Sequence, residues 1–126
     1  MAILEGVCLE VLQKSEFIAI ATAGEDGPHV VAVWGDYIKR LGYGDTLLVP
    51  VGGMKKTEAN LRHDPRVELI CGTQKMASNM SLGKGCGLRG RAGMETSGSH
   101  FDHVKKQFPW ARAALVIKVE AATPQL

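Results

Sequence analysis

The residues best suited to chemistry lie close together in the segment GGMKKT, at positions 52–57. Adjacent glycines let the backbone approach a ligand and present its N–H groups. The start of a helix then favours negative charge, because its first N–H groups lack partners and the helix dipole is positive there. Lys56 and Thr57 would add a positive charge and a hydroxyl group. The segment predicts a site for one phosphate group, with a solvent-exposed, lysine-bearing helix start as the alternative.

Other familiar site patterns are not legible in the sequence. The glycines match neither the G-x-x-x-x-G-K-[ST] loop nor G-x-G-x-x-G, so a nucleoside triphosphate or a dinucleotide cofactor is not indicated. Carboxylates such as Asp36 and Glu58 have no visible partner, so we assign no acid, base or nucleophile. His100 and His103 are expected on a helix surface rather than on a metal ion. The cysteines lack C-x-x-C spacing and are expected to be buried, reduced thiols: Cys8, Cys71 and Cys86.

The two tryptophans occupy positions that suit contact with a planar ligand. Trp34 precedes Gly35 at the end of a predicted strand segment, and Trp110 lies in the corner FPWAR. Neither is in the middle of an apolar run, so each is expected at a rim where an indole can stack. Burial in the core is the alternative for both.

The elements that must position these residues can be predicted from periodicity and turn signals. Apolar residues spaced as in a helix predict a first helix, and β-rich runs bounded by Gly, Pro and Asp predict strands. The predicted helices cover residues 3–14, 55–63 and 99–108, the strands 17–24, 29–38, 45–51, 66–73, 88–97 and 111–122, and residues 74–87 are predicted as a loop. Hairpin-type connections favour a mainly β fold, a six-stranded antiparallel barrel with short flanking helices, over a parallel sheet.

Composition supports one domain over residues 1–126 and excludes several classes of protein. The chain is 45% hydrophobic and 22% charged, as in ordinary globular proteins. A net charge of +2 with scattered basic residues argues against nucleic acid as a partner. No apolar run approaches the length of a membrane span, and the first residues do not resemble a signal peptide, so we expect a cytoplasmic protein.

Three runs together resemble a known family. They are IATAGEDGPHVVAVWGDYIK, VPVGGMKKTEANLRHDPRV and FPWARAALVIKVEAATPQL. They are similar to the small FMN-binding proteins among the pyridoxamine 5'-phosphate oxidase-like flavoproteins, over essentially the whole chain. The resemblance implies a six-stranded split β-barrel that binds FMN noncovalently, as a homodimer with the flavin near the interface.

The resemblance also implies which residues contact the cofactor. Lys56 and Thr57 match phosphate ligands, and Leu126 matches a C-terminal residue that reaches the partner's flavin. Ala32 and Val33 stand where the relatives have polar side chains, so a side-chain hydrogen bond from these positions to the phosphate or ribityl end of FMN is lost. The full implied FMN-binding set is Ala32, Val33, Trp34, Tyr37, Pro50, Val51, Gly52, Gly53, Lys56, Thr57, Trp110 and Leu126.

Two functional classes follow from this resemblance. The first is electron transfer or flavin-dependent oxidoreduction with an unknown redox partner, in which the cofactor performs the chemistry. The second is a non-catalytic module that binds or stores FMN, or that binds another planar anionic ligand. A true pyridoxamine phosphate oxidase is disfavoured, because the chain is about half the length usual for that enzyme and shows no further basic cluster for a second phosphate.

Overall fold

The computed structural model describes residues 2–77 and 82–125. The helices in this part of the chain are α1 (Gly6–Lys14), α2 (Gly35–Leu41), α3 (Lys55–His63) and α4 (Ser99–Gln107). The strands are β1 (Phe17–Gly24), β2 (Gly27–Trp34), β3 (Thr46–Val51), β4 (Arg66–Ala77), β5 (Leu82–Glu95) and β6 (Ala113–Gln125).

All six strands belong to one antiparallel sheet that curls into a half-barrel, in the order β2-β1-β4-β5-β6-β3. β1 and β2 form a hairpin in which Gly24 pairs with Gly27, leaving a two-residue turn. Gly27 has a φ of 121°, which glycine adopts without the strain that a side chain would bring. The predicted mainly β, six-stranded antiparallel fold with short helices is confirmed.

The concave face of the sheet holds the main core. Alternate residues of β4 are buried, as expected for a strand with one covered face, and α1 closes the core through Val11 and Leu12. Each fully buried Leu or Ile contributes about 1.5–3 kcal/mol relative to an exposed one. A second cluster lies between α2, α4 and the opposite face of β3 and β6. In the described part of the chain no helix covers the outer face of β1, β2 and β4, and Phe17, Val30 and Ile70 are exposed on it.

The three cysteines are buried and free, as predicted. Cys71 and Cys86 are direct partners across β4 and β5, and Cys8 joins the same core from α1. Burial raises the pKa of the Cys71 and Cys86 thiols above the usual range. These thiols therefore behave as small core residues in the folded protein.

The prediction of a strand through residue 38 is wrong, because α2 begins at Gly35. A Cβ at Gly35 would lie 2.0 Å from the carbonyl oxygen of Ser15, so only glycine fits this close approach. The Gly35 N–H donates to the Glu16 carbonyl at 2.8 Å, and the chain then turns. Ile38 and Leu41 follow at helical spacing and are buried, so packing decides for the helix.

The prediction of a loop over residues 74–87 is also wrong, since β4 extends to residue 77 and β5 begins at residue 82. Residues 78–81 of that predicted loop lie outside the described residues. Gly85 lies close to the neighbouring strand, since a Cβ there would be 3.4 Å from the Cys71 carbonyl oxygen. Glycine inside a strand commonly marks such an approach rather than a loop.

Candidate functional site

The start of α3 presents backbone donors that the helix itself does not use. The first helical hydrogen bond runs from the Glu58 N–H to the Met54 carbonyl at 2.9 Å. The N–H groups of residues 55–57 therefore have no hydrogen-bond acceptor within the helix. The residue at the N-cap position, Met54, makes no capping hydrogen bond with its side chain and adopts a left-handed conformation with φ 56° and ψ 38°. These donors and the helix dipole make the end receptive to an anion.

Thr57 adds an unsatisfied hydroxyl to this helix start. Its side chain is 1% exposed, and Oγ1 has no hydrogen-bond partner among the described residues. Burying a polar group without a partner costs about 1–3 kcal/mol. Among the described residues, the Thr57 hydroxyl is thus a buried polar group of the first turn that still lacks a hydrogen-bond partner.

Lys56 lies on the exposed side of the same turn. Its Nζ is 3.2 and 3.4 Å from the two carboxylate oxygens of Asp26, in the turn between β1 and β2. The hydrogen bond from Lys56 lowers the pKa of Asp26. Both side chains are largely exposed, so the ion pair contributes little to stability. Lys56 can therefore exchange Asp26 for another anion at small cost.

A buried hydrogen bond fixes α3 on the sheet. Asn60 Nδ2 donates to Thr22 Oγ1 at 3.1 Å, and both side chains are buried. Thr22 lies on β1, so this contact ties the helix to that strand. The position of the first turn of α3 is set by this contact together with the packing of Leu61 in the core.

The turn before α3 is held by Arg112, which the sequence analysis did not select. Arg112 Nε donates to the Gly52 carbonyl at 3.0 Å and to the Gly53 carbonyl at 3.1 Å. The guanidinium also lies 3.3 Å from a carboxylate oxygen of Glu58, whose pKa is lowered by the hydrogen bond from Arg112. Glu58 therefore has a partner in space, with Arg62 as a second ion-pair partner at 3.6 Å.

An aromatic cluster borders the turn at residues 52–53, called the glycine turn below. The Tyr37 and Trp110 ring centroids are 6.0 Å apart, and Phe108 packs edge-on against both. A Cβ at Gly52 would lie 3.4 Å from Cζ3 of Trp110, so the indole rests against the glycine backbone. Trp110 is 53% exposed, as its predicted rim position requires. Gly52, Tyr37 and Trp110 are thus brought together.

The predicted FMN-binding residues of β2 point to different faces of the strand. Ala32 and Trp34 are exposed, whereas Val33 faces the core and is 8% exposed. Trp34 lies opposite Phe17 in the hairpin, and among the described residues no aromatic pairing joins it to Tyr37 or Trp110. Only the backbone of Val33 is left to face a ligand.

The remaining predicted residues are Pro50, Val51 and Leu126. Pro50 and Val51 are buried on β3 and lead directly into the glycine turn, where Arg112 N–H donates to the Val51 carbonyl at 2.8 Å. Leu126 lies outside the described residues. Across residues 2–77 and 82–125 the structure contains no group of three or more His, Cys, Asp or Glu side chains placed to hold a metal ion. None of the helices described in that same part is long and apolar enough to span a membrane.

The fold and this site define a class of protein in which a curled antiparallel sheet positions a helix whose N-terminus can bind an anion. The family model described as pyridoxamine 5'-phosphate oxidase matches residues 4–125, and the chain belongs to this family. A relative from Nitratidesulfovibrio vulgaris (strain DSM 19637 / Miyazaki F), named FMN-binding protein, is 47% identical over 123 residues, covering 98% of this chain and 99% of the relative.

Solved structures share the fold at low sequence identity. HupZ of Group A Streptococcus is 18% identical with a TM-score of 0.69, and the match covers 94% of each chain. An FMN-binding protein from Syntrophomonas wolfei subsp. wolfei is also 18% identical, with a TM-score of 0.64 and coverage of 94% of this chain and 88% of its own. At these identities the similarity concerns the fold.

Proposed function

We propose that this chain is a noncovalent FMN-binding flavoprotein that acts in electron transfer or flavin-dependent oxidoreduction. The observation that carries the proposal is the unpaired, buried Thr57 hydroxyl beside the free N–H groups of the α3 start. A phosphate monoester supplies the acceptor oxygens that these donors lack. The 47% identical relative named FMN-binding protein supports FMN as the molecule that carries the phosphate.

Lys56 and Thr57 are the proposed phosphate ligands. In this arrangement Lys56 Nζ turns from Asp26 toward the phosphate, which exchanges one exposed anion for another. The Thr57 hydroxyl donates to a phosphate oxygen and so gains the partner that the protein alone does not provide. Charge-assisted hydrogen bonds of this kind are about twice as strong as those between neutral groups.

The flavin ring is proposed to lie along the glycine turn. Residues 50–53 give it backbone groups, and the absence of side chains at Gly52 and Gly53 leaves room for close approach. Tyr37, Trp110 and Trp34 are the proposed aromatic neighbours, while Ala32 and Val33 offer backbone groups only. When bound, FMN supplies one- and two-electron chemistry, and the protein orients it and restricts water around it.

A homodimer is the proposed assembly, with Leu126 of each chain near the partner's flavin. The support is the uncovered outer face of the sheet, where Phe17, Val30 and Ile70 are 54%, 60% and 43% exposed. Their strands are neighbours, so these side chains form one apolar surface rather than scattered residues. Contiguous exposed apolar surfaces are uncommon on monomeric proteins and mark interaction sites, and a second copy of the chain would cover this one.

A second candidate is a module that binds FMN or another planar anionic ligand without turnover. The exposed Ala32 and inward-facing Val33 favour it, because β2 offers no side-chain hydrogen bond there to tune a bound flavin. Reaction of the loaded protein with a nicotinamide or with a one-electron reductant separates the two candidates. Reduction and reoxidation of the bound chromophore support the first, and failure of both supports the second.

The visible absorption spectrum of the purified protein is the direct test. Flavin bands, followed by acid release of FMN at one molecule per chain, are expected. A colourless protein that also fails to take up added FMN contradicts the proposed function. Chromatography of the released molecule distinguishes FMN from FAD and riboflavin, and so tests the phosphate assignment.

A further inference from the structure

In the glycine turn two successive backbone carbonyls face the same side chain. The Gly52 and Gly53 carbonyl oxygens both accept hydrogen bonds from the guanidinium of Arg112. Peptide bonds here are trans and planar, so each N–H points opposite to the carbonyl of its own peptide unit. The N–H groups of Gly53 and Met54 therefore point away from Arg112, side by side.

These two N–H groups are not used by the protein. Among the hydrogen bonds of residues 2–77 and 82–125 there is none from the Gly53 or Met54 N–H. Together with the N–H groups of residues 55–57 they extend the row of free donors back from the helix into the turn. Successive N–H groups that converge around a left-handed residue form a concave site for anions and electron-rich acceptors.

The turn needs an external restraint to keep this shape. Met54 is the one residue other than glycine with positive φ in the described part of the chain, and such a conformation persists only where the surroundings enforce it. A Cβ at Gly53 would meet no atom within 4 Å, so no neighbour packs against that side of the residue. The Arg112 hydrogen bonds are the contacts that fix both carbonyls.

Glu58 in turn fixes Arg112. Its carboxylate lies 3.3 and 3.4 Å from Nη2 and Nη1, and its side chain is only 17% exposed. Glu58 is one turn into α3, so the same carboxylate links the guanidinium to the helix whose start is the candidate site. The turn, the segment just before β6 and α3 are thereby joined through the planar guanidinium with its five donors, a geometry that lysine cannot reproduce.

We propose that Arg112 is a positioning residue that orients the Gly53 and Met54 N–H groups as ligand donors. The inference rests on the proposed function, because the acceptor would be an electron-rich atom of the bound FMN. It adds a residue outside the predicted contact set that acts through the backbone and does not touch the ligand.

The test compares Arg112→Gln, Arg112→Lys and the matched control Arg62→Gln. Arg62 pairs with the same Glu58 carboxylate but has no hydrogen bond to the glycine turn among the described contacts. Fluorescence titration with FMN is expected to show about tenfold loss of affinity for Arg112→Gln, the scale of two backbone hydrogen bonds to the ligand. Arg112→Lys should retain only part of the affinity, and Arg62→Gln should stay within about twofold of wild type.

A measurement without FMN separates this inference from the proposed function. The {1H}-15N NOE of the Gly53 and Met54 amides in the apo protein is expected to match that of α3, and to fall in Arg112→Gln while α3 is unchanged. A Gly53 amide already mobile in the wild-type apo protein overturns the inference, whether or not FMN binds. Wild-type FMN affinity in folded Arg112→Gln also overturns it, and if that variant does not fold, wild-type affinity in Arg112→Lys does so.

Discussion

Replacing Thr57 by Val tests the candidate site through two effects of opposite sign. Val keeps the β-branched shape and a similar helix propensity but removes the hydroxyl. In the apo protein the unpaired Oγ1 carries a desolvation cost, so the variant should be more stable by about 1 kcal/mol. In the FMN complex the same change removes a hydrogen bond to a charged group, and affinity should fall by about 1.5–3 kcal/mol, roughly ten- to hundredfold.

Two assays measure these effects separately. Urea denaturation of the apo variant gives the free energy of unfolding, and quenching of FMN fluorescence gives the dissociation constant. Thr22→Val is the matched control, because the Thr22 hydroxyl is equally buried but accepts a hydrogen bond from Asn60. That control should lose about 1–3 kcal/mol of stability, since the Asn60 amide is left without its partner. An apo Thr57→Val protein that is less stable than wild type, or that binds FMN equally well, refutes the reasoning.

Three further predictions concern other parts of the molecule. Lys56→Ala should weaken FMN binding by about 1–3 kcal/mol, the scale of a charge-assisted hydrogen bond, and unchanged affinity in a titration contradicts the phosphate assignment. Trp34→Ala should raise the fluorescence of bound flavin because a stacked indole is lost, and a variant as dark as wild type contradicts that contact. The Arg66 hydrogen bonds lower the pKa of Asp64 to about 2, so its contribution to stability is present above its unfolded pKa and is lost as pH falls through the folded value. Asp64→Asn should therefore lose less stability than wild type as pH is lowered from about 4 to about 2, which acid titration of urea midpoints can show.

Local signals in the sequence predicted some elements correctly. The bounds of β1 and of α3 follow from a β-rich run ending in glycine and from a helical run ending before Asp64 and Pro65, and the structure reproduces both. Such signals act over a few residues, so no knowledge of the fold was needed. The grouping of Lys56 and Thr57 at a helix start was predictable for the same reason.

Other features depend on contacts between distant segments, which a single sequence does not reveal. The turn into α2 requires the fit of Gly35 against the Ser15 carbonyl, and Gly90 of β5 leaves room for the Lys118 carbonyl of β6. Arg112 and Glu58 are 54 positions apart, so no spacing rule connects them. The missing partner of the Thr57 hydroxyl is likewise a property of the packed structure, since threonine at that position could have bonded to several neighbours.

The reactivity of the buried cysteines can be used to measure how often the protein transiently unfolds. Maleimides and aromatic disulfides react with thiolates that they can reach; burial blocks access to all three native thiols and raises the pKa of the Cys71 and Cys86 thiols. Labelling should therefore wait for unfolding events that expose the core, and its rate then follows the population of open molecules. Variants such as Thr57→Val can be ranked in this way at native pH without denaturant. A cysteine introduced on the surface would be labelled first, which allows a dye to be attached without removing the natural three.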